Sequence, residues 1–255
     1  KLSDFDFKLP EDLVATRPVS PRSSSRLLWC ENNQIHDKQA FELPDILQPG
    51  DRLVLNDTKV IPARLNGTRI RHNTVEGGEA SVEVTLLKPY PEGLWLCLIK
   101  PLRKVAVGEC ITFEHSLSAE LIDKSEGQAK LRFNLDQDAF FAALDLAGDM
   151  PLPPYIASKR APDAQDREDY QTVFAKNEGS VASPTASLHF DDAVLAALST
   201  RGVEISYVTL HVGAGTFLPV KVDDIKAHKM HADYGEVCDK AAHAIMQTHK
   251  SGGRI

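Results

Sequence analysis

The sequence reads Asp191-Asp-Ala-Val-Leu-Ala-Ala-Leu-Ser-Thr-Arg-Gly-Val-Glu-Ile-Ser-Tyr-Val-Thr-Leu210 at the point that decides its fold class. Asp191 is a typical N-cap for a helix that carries an apolar stripe. Gly202 can end that helix. The apolar run Val203–Leu210 then predicts a strand.

A second helix is predicted at Asp239–Lys250, where Ser251-Gly-Gly253 stops it. The alternation of helix, strand and helix is typical of a mixed α/β sheet, which is the fold class that we predict. The sequence stops at Arg254-Ile255, where the next strand should begin. We therefore expect an α/β domain that is truncated at its C-terminus.

The middle of the chain has short strand-like runs separated by turn signals such as Pro91-Glu-Gly93. Closely spaced short strands are typical of a small antiparallel barrel or sandwich. We predict a β-barrel domain at 64–149, inserted into an α/β domain formed by 1–63 and 150–255. The predicted strands are Arg64–Arg71, Ser81–Leu87, Leu94–Ile99, Cys110–His115, Ser118–Ile122 and Ala129–Asn134. Further helices are predicted at Asp136–Ala147 and Asp166–Phe174, and residues 1–50 are predicted to be irregular.

The composition is ordinary for a globular protein, with 255 residues, 42% hydrophobic and 25% charged. A net charge of −7 argues against nucleic-acid binding by the whole surface, but it leaves room for a local basic patch. Four cysteines without a CxxC pair give no sign of a zinc knuckle or a redox dithiol. Because no membrane-length apolar run or signal-peptide core is visible, we expect a cytoplasmic protein without a membrane partner.

The loop Thr209-Leu-His-Val-Gly-Ala-Gly-Thr-Phe217 follows the predicted strand and is the first candidate site. Its glycines would let the backbone approach a ligand closely. His211 could serve as a general acid or base near neutral pH. The alternative is a sharp turn without a ligand, because the loop has neither a GxGxxG pattern nor a P-loop lysine.

The loop Ser183-Pro-Thr-Ala-Ser-Leu-His-Phe190 is the second candidate, because it precedes the Asp191 cap. The helix macrodipole there would disfavour the imidazolium form of His189, leaving a neutral base or hydrogen-bond donor. The alternative is a structural histidine packed under the loop.

Two further motifs carry polar groups. His228-Lys-Met-His231 would place two histidines on one helix face, as metal ligands can be, but no third ligand is obvious beyond Asp233 or Glu236. A substrate-contacting loop or a solvated polar face are the alternatives, and we predict no metal. Asn56-Asp-Thr-Lys-Val-Ile-Pro-Ala-Arg64 ends a buried strand, where ligand groups or a domain junction are expected.

The cations near these motifs could form a phosphate-binding patch, although scattered surface cations are the alternative. They are Arg17, Arg22, Arg26, Lys59 and Arg64.

Six motifs in one order resemble the family of S-adenosylmethionine:tRNA ribosyltransferase-isomerases of queuosine biosynthesis. Besides the four motifs quoted above, they are Met150-Pro-Leu-Pro-Pro-Tyr-Ile156 and Tyr170-Gln-Thr-Val-Phe174. The resemblance extends from the N-terminus to Ile255. This chain has Ser187 where the family usually has glycine and Ser183 where it has alanine. Family members also continue with two further conserved segments beyond the position of Ile255.

The resemblance implies a mixed α/β domain with an inserted β-barrel, and a reaction without a cofactor. The ribosyl part of S-adenosylmethionine, a substrate, is transferred to 7-aminomethyl-7-deazaguanine at the tRNA wobble position and rearranged. The products are epoxyqueuosine, adenine and methionine. A non-catalytic RNA-binding module that uses the β-domain is the alternative from another class. A hydrolase is a weaker one, because the chain has no GxSxG elbow.

On that basis we expect His211 and His189 to be catalytic. Either could be the base that removes the C5′ proton or the acid that assists adenine loss. We expect Arg17, Arg22, Lys59 and Arg64 to contact tRNA, and the protein to be a monomer. The expected substrate-binding residues are Thr185, Gly213, Gly215, Thr216, Asn56, Asp57, His228 and His231.

Overall fold

The structure is a computed structural model that describes residues 1–71, 78–217, 220, 222–228 and 230–255. The strands β1 to β14 are Arg26–Glu31, Gln34–Gln39, Arg52–Asn56, Thr58–Val60, Arg64–Arg71, Gly78–Pro89, Leu94–Lys100, Cys110–Thr112, Ser118–Ser125, Gln128–Phe133, Gly148–Asp149, Asn177–Ser180, Glu204–His211 and Tyr234–Glu236. The helices α1 to α6 are Leu43–Ile46, Gln137–Ala147, Pro154–Ala157, Asp166–Asp169, Asp192–Arg201 and Asp239–Lys250.

Six antiparallel strands close into a barrel in the order β5-β6-β7-β10-β9-β8, with β8 pairing back onto β5. Inward-facing residues alternate with outward-facing ones, as Val82, Val84 and Leu86 of β6 illustrate by their burial. Closure leaves these strands without a free edge. The barrel core continues under α2, where Phe140 packs against Trp95 and Phe133.

The second part of the molecule is built on parallel pairing. β13 pairs with β3 in parallel, from Glu204↔Arg52 to Val208↔Asn56, and β14 adds antiparallel to β13. A separate parallel pair joins β12 to β4. Helix α5 packs on this layer through Val194 and Leu198, which lie in one buried cluster. The mixed α/β fold class with an antiparallel β-barrel is therefore confirmed, and the domain boundaries stay a prediction.

Several predicted elements lie close to their expected bounds. Helix α6 has the predicted bounds, and the Asp191 side chain caps α5 by accepting a hydrogen bond from the backbone N–H of Val194. Gly202 ends α5 at a φ of 81°, in the left-handed region that glycine adopts without strain. Asp136 likewise caps α2 through the N–H of Ala139.

Two predictions for irregular or helical segments were wrong. The first 50 residues contain the hairpin β1–β2, whose turn places Asn32 and Asn33 at positive φ. Helix α4 ends at Asp169 rather than at Phe174. Beyond it, the Gln171 side chain bonds both the N–H and the carbonyl of Val60, which ties this segment to β4 instead of continuing the helix.

Among the described residues, none of the helices has the length and apolar character needed to cross a membrane.

Candidate active site

His211 ends β13, and its ring is held by three neighbours. The Nδ1 atom lies 2.7 Å from the Thr58 hydroxyl of β4. The backbone of Gly179 lies so close to the ring that an added Cβ would come within 2.9 Å of it. The Tyr234 ring is nearly parallel to the imidazole, with 6.1 Å between centroids. Three different strands therefore fix the position of His211.

A hydrogen-bond network joins the end of β3 to the end of β13. The Asn56 side chain donates to the carbonyl of Leu210 and accepts from its N–H, at 2.8 and 2.9 Å. One oxygen of Asp57 accepts from the Thr209 hydroxyl at 2.7 Å and from the Asn177 amide at 3.1 Å. Asn56 and Asp57 thus lie beside His211, as expected for residues at adjacent strand ends.

A cavity of about 630 Å³ opens beside His211, between the barrel and the α/β part. Its walls are aromatic and acidic, with no lysine or arginine among the lining residues that the structure describes. The α/β side contributes Glu178, Gly179 and His211. The barrel side and the start of α2 contribute Pro89, Tyr90, Pro91, Glu92, Gly93, Trp95, Phe133, Asn134, Leu135, Asp136, Phe140 and Phe141.

Burial lowers the pKa of His211 below its ordinary value, while the charges of Asp57 and Glu236 oppose that shift. This direction of shift favours the neutral imidazole at pH 7. Glu178 pairs with Lys59 at 2.7 Å, and this contact raises the pKa of the lysine. The cavity beside a neutral His211 is thus lined by carboxylates and π-systems, an environment that favours a cationic ligand.

His189 and Thr185 line a different cavity, of about 690 Å³, which does not include His211. Both side chains lie in a short 3-10 turn, Thr185–His189, that precedes α5. Apolar residues such as Leu152 and Ile156 and the ion pair of Arg160 with Asp166 also line it. Arg17, Arg22 and Arg26 line the same cavity, so the structure brings these predicted cations together with Thr185 and His189. The structure therefore does not bring the two histidine loops to one cavity.

Two departures from the family pattern lie in this second loop. Ser187 is buried and donates its N–H to the carbonyl of Pro184, and its φ is not positive. A serine is therefore accommodated there without a left-handed backbone. The hydroxyl of Ser183 is buried and has no hydrogen-bond partner among the described residues.

The glycine loop after His211 packs against the segment that carries His228 and His231. The N–H of Gly213 donates to Asp233, and an added Cβ on Gly215 would meet His231 at 2.7 Å. Thr216 and His231 are exposed and His228 is half-buried, whereas Lys229 lies outside the described residues. In the part of the chain that the structure describes, no group of three or more histidine, cysteine or acidic side chains could hold a metal ion.

The four cations expected at tRNA all have partners within the chain. Arg17 pairs with Asp163, Asp166 and Asp169, and Arg22 donates to the carbonyls of Gln171 and Glu168. Lys59 pairs with Glu178, and Arg64 lies 3.9 Å from Glu83. A phosphate contact by Arg17, Arg22 or Lys59 would have to share or replace these partners. The Nε of Arg64 is buried without a hydrogen-bond partner among the described residues, and the role of all four cations stays a prediction.

Sequence reasoning missed the residues that hold His211 and the barrel residues that face it. Thr58 lies inside the quoted Asn56–Arg64 motif, but nothing in its neighbours indicates a histidine 153 positions away. Gly179 and Asn177 precede the second loop and carry no local signal of their own. Trp95 and Phe141 resemble ordinary core residues in the sequence.

The family model described as queuosine biosynthesis protein matches residues 2–255. The chain belongs to the queuosine biosynthesis family. It is 59% identical to the S-adenosylmethionine:tRNA ribosyltransferase-isomerase of Ruegeria sp. (strain TM1040), over all of this chain and 73% of the relative. It is 60% identical to the protein of that name from Dinoroseobacter shibae, over all of this chain and 72% of the relative. The membership predicted from the six motifs is confirmed.

The chain is also similar to a solved structure. The crystal structure of S-adenosylmethionine tRNA ribosyltransferase from Thermotoga maritima is 28% identical to this chain. The match has a TM-score of 0.42 and covers 99% of this chain and 68% of that one.

Proposed function

We propose that this protein transfers the ribosyl part of S-adenosylmethionine to 7-aminomethyl-7-deazaguanine at the wobble position of tRNA and isomerises it. The products are epoxyqueuosine, adenine and methionine. Relatives at 59–60% identity carry the name of this activity, which favours an enzyme over a non-catalytic RNA-binding module. The cavity beside His211 is the observation that supports a location for this activity in the structure.

The chemistry of that cavity fits the charges of both substrates. S-adenosylmethionine carries a sulfonium, and the acceptor base carries a primary amine that is protonated in water. Three carboxylates, Glu92, Asp136 and Glu178, line the cavity, and no lysine or arginine is among its described lining residues. The charge of Glu178 is compensated by Lys59, so Glu92 and Asp136 are the carboxylates left to face a cation. Aromatic lining residues such as the half-buried Phe141 can contact a cation or stack on adenine. The ring of Tyr90 already has the Lys88 ammonium 5.6 Å from its centroid.

The reaction requires proton movement near the sulfonium, because the sulfonium acidifies the adjacent C–H bonds. His211 is our candidate for a group that contacts the reacting part of S-adenosylmethionine, since it is neutral and faces the cavity. Asn56 and Asp57 support its position from the end of β3. His189 and Thr185 would act from the second cavity, and we propose them as contacts to the tRNA substrate or as catalytic partners brought closer on binding.

The test is release of labelled adenine from S-adenosylmethionine in the presence of precursor tRNA. His211→Ala should lower turnover on the order of 10²-fold with substrates saturating, whether the imidazole moves a proton or donates a hydrogen bond to the reacting part of the substrate. His249→Ala, an exposed histidine on α6, is the matched control and should keep wild-type turnover. Undiminished turnover in a folded His211→Ala variant would refute the assignment, and adenine release by neither wild type nor control would refute the activity.

The basic residues are tested separately by salt. If Arg17, Arg22, Lys59 and Arg64 contact phosphates, tRNA affinity should fall steeply as salt increases, and each alanine variant should reduce that slope by about one counterion. A flat salt dependence would reject a phosphate-dominated interface. The monomeric state and the cytoplasmic location are proposed together with this function.

A further inference from the structure

Among the described residues, the hydroxyl of Thr58 has a single good acceptor for its proton. Thr58 is completely buried, so water cannot take that proton. Its oxygen lies 2.7 Å from Nδ1 of His211 and 3.5 Å from the backbone carbonyl of Asn177. Hydroxyl hydrogen bonds are normally about 2.7–2.8 Å long, so the contact with Nδ1 is well formed and the other is marginal.

The direction of this bond determines which nitrogen of His211 carries a proton. A neutral imidazole has one N–H and one acceptor nitrogen. If Nδ1 carried the proton, it would donate to the Thr58 oxygen, and the buried hydroxyl would be left with the distant carbonyl. If Nδ1 accepts, the hydroxyl is satisfied and the proton of the imidazole lies on Nε2.

The surroundings of Thr58 leave it little freedom to change this arrangement. Thr58 pairs directly with Asn177 in the β4–β12 ladder, and its own N–H donates to the Asn56 side chain. The ring of His211 cannot move toward β12, because Gly179 already touches it. The charged groups that act on the ring are Asp57 and Glu236, and neither is hydrogen-bonded to it among the contacts of the described residues.

We propose that Thr58 is a positioning residue that holds His211 as its Nε2–H tautomer, so that His211 donates a hydrogen bond to the bound substrate and does not act as a base. In this tautomer Nε2 has no lone pair with which to remove a proton. A neutral imidazole also does not give up its only N–H near pH 7, so it polarises a substrate atom rather than protonating it. The base that removes the C5′ proton is then a different group.

The tautomer can be measured directly by ¹⁵N NMR of the full chain with labelled histidine, with the His211 signals assigned by their loss in His211→Ala. At pH 8 we expect Nδ1 at the chemical shift of an unprotonated nitrogen and Nε2 at that of a protonated one. Thr58→Ser should keep this pattern, and Thr58→Val, which fits the same space without a hydroxyl, should shift it toward a tautomer mixture. A protonated Nδ1 in the wild type, or an unchanged pattern in Thr58→Val, would overturn the proposal.

The role in turnover rests on the proposed function and has its own test. Thr58→Val should lower kcat roughly tenfold, the size of one hydrogen bond, with KM for S-adenosylmethionine changed by less than about twofold. Thr58→Ser should restore kcat. His211→Gln, whose amide can donate from a position similar to Nε2, should retain more activity than His211→Ala. Equal loss in both variants would reject the donor role, whereas absence of turnover in the wild type would refute the proposed function and leave the tautomer result standing.

Discussion

At the scale of the residue, Asp57 has two effects on its surroundings. One of its oxygens joins Thr209 and Asn177, which ties β3 to β13 and β12. Its charge also raises the pKa of His211 against the larger effect of burial, and Glu236 acts in the same direction. The protonation of His211 therefore depends on carboxylates that do not touch the imidazole.

Asp57→Asn should lower the pKa of His211 further, because it removes a negative charge while keeping an oxygen that can accept the two hydrogen bonds. Glu236→Gln should act in the same direction with a smaller effect, since Asp57 is the stronger of the two influences. The measurement is an NMR titration of the His211 ring between pH 4 and 8. An unchanged or higher pKa of His211 in Asp57→Asn would show that the negative charge of Asp57 does not stabilise the imidazolium.

Residue types alone indicated part of this arrangement. His211, Asn56 and Asp57 could be singled out because polar groups at strand ends are candidates for a site. Thr58 and Gly179 could not be singled out from the sequence. They matter only because β13 brings the imidazole of His211 against them. Their contribution depends on tertiary contacts between segments that are far apart in the chain.

At the scale of the element, α5 shows how a local signal determines a boundary. Asp191→Ala should destabilise the protein by about 1 kcal/mol, because the N–H of Val194 loses the side chain that caps it. Asp192→Ala is the matched control, since Asp192 is an exposed residue in the first turn, and should change stability by about 0.5 kcal/mol or less. Urea unfolding measures the free energy of unfolding of both variants. A loss in Asp191→Ala alone indicates a capping effect, and an equal loss in both indicates an effect of negative charge at the start of the helix.

The elements that sequence reasoning misjudged have equally specific causes. The Asn32-Asn33 turn of the β1–β2 hairpin is a recognisable signal, because two successive residues at positive φ are typical of a type I′ turn. Proline-rich flanks obscured it. By contrast, the early end of α4 could not be predicted, because the segment after it is held by bonds from the Gln171 side chain to Val60 of β4, more than 100 positions away.

At the scale of the whole molecule, the buried carboxylate of Asp51, just before β3, holds the segment that follows α6. Arg254 donates to both oxygens of Asp51 from its side chain and to one from its N–H. This contact with Arg254 lowers the pKa of Asp51 to about 2, against the effect of burial. Since the folded protein holds this carboxylate ionised, the stabilisation is present above the ordinary aspartate pKa and is lost as the pH falls toward 2.

Arg254→Ala should therefore destabilise the protein by about 2 kcal/mol at pH 7. The difference from wild type should shrink as the pH decreases below about 4, where the unpaired carboxyl of the variant becomes protonated. Chemical unfolding of both proteins at pH 7, 5 and 3.5 measures the two differences. A gap that stayed constant with pH would mean that Arg254 stabilises through packing and not through the charge of Asp51.

The position of the cavity was not predictable, because its two walls come from parts of the chain with different periodicities. The barrel and the α/β layer were each predicted from local patterns, but which barrel face meets His211 depends on their packing. Trp95, Phe133 and Phe140 are buried members of the barrel core that also border the cavity, so the sequence pattern that marks them as core does not indicate a site.

The pairing of strands also sets an order for assembly on the ribosome. Every strand of the closed barrel lies between Arg64 and Phe133, so the barrel can form once that stretch has emerged. Strand β3 comes earlier in the chain, yet its partner β13 begins only at Glu204, and it must wait through most of synthesis. Nascent chains stopped near residue 180 should therefore contain a protease-resistant barrel flanked by an unpaired and still cleavable β3.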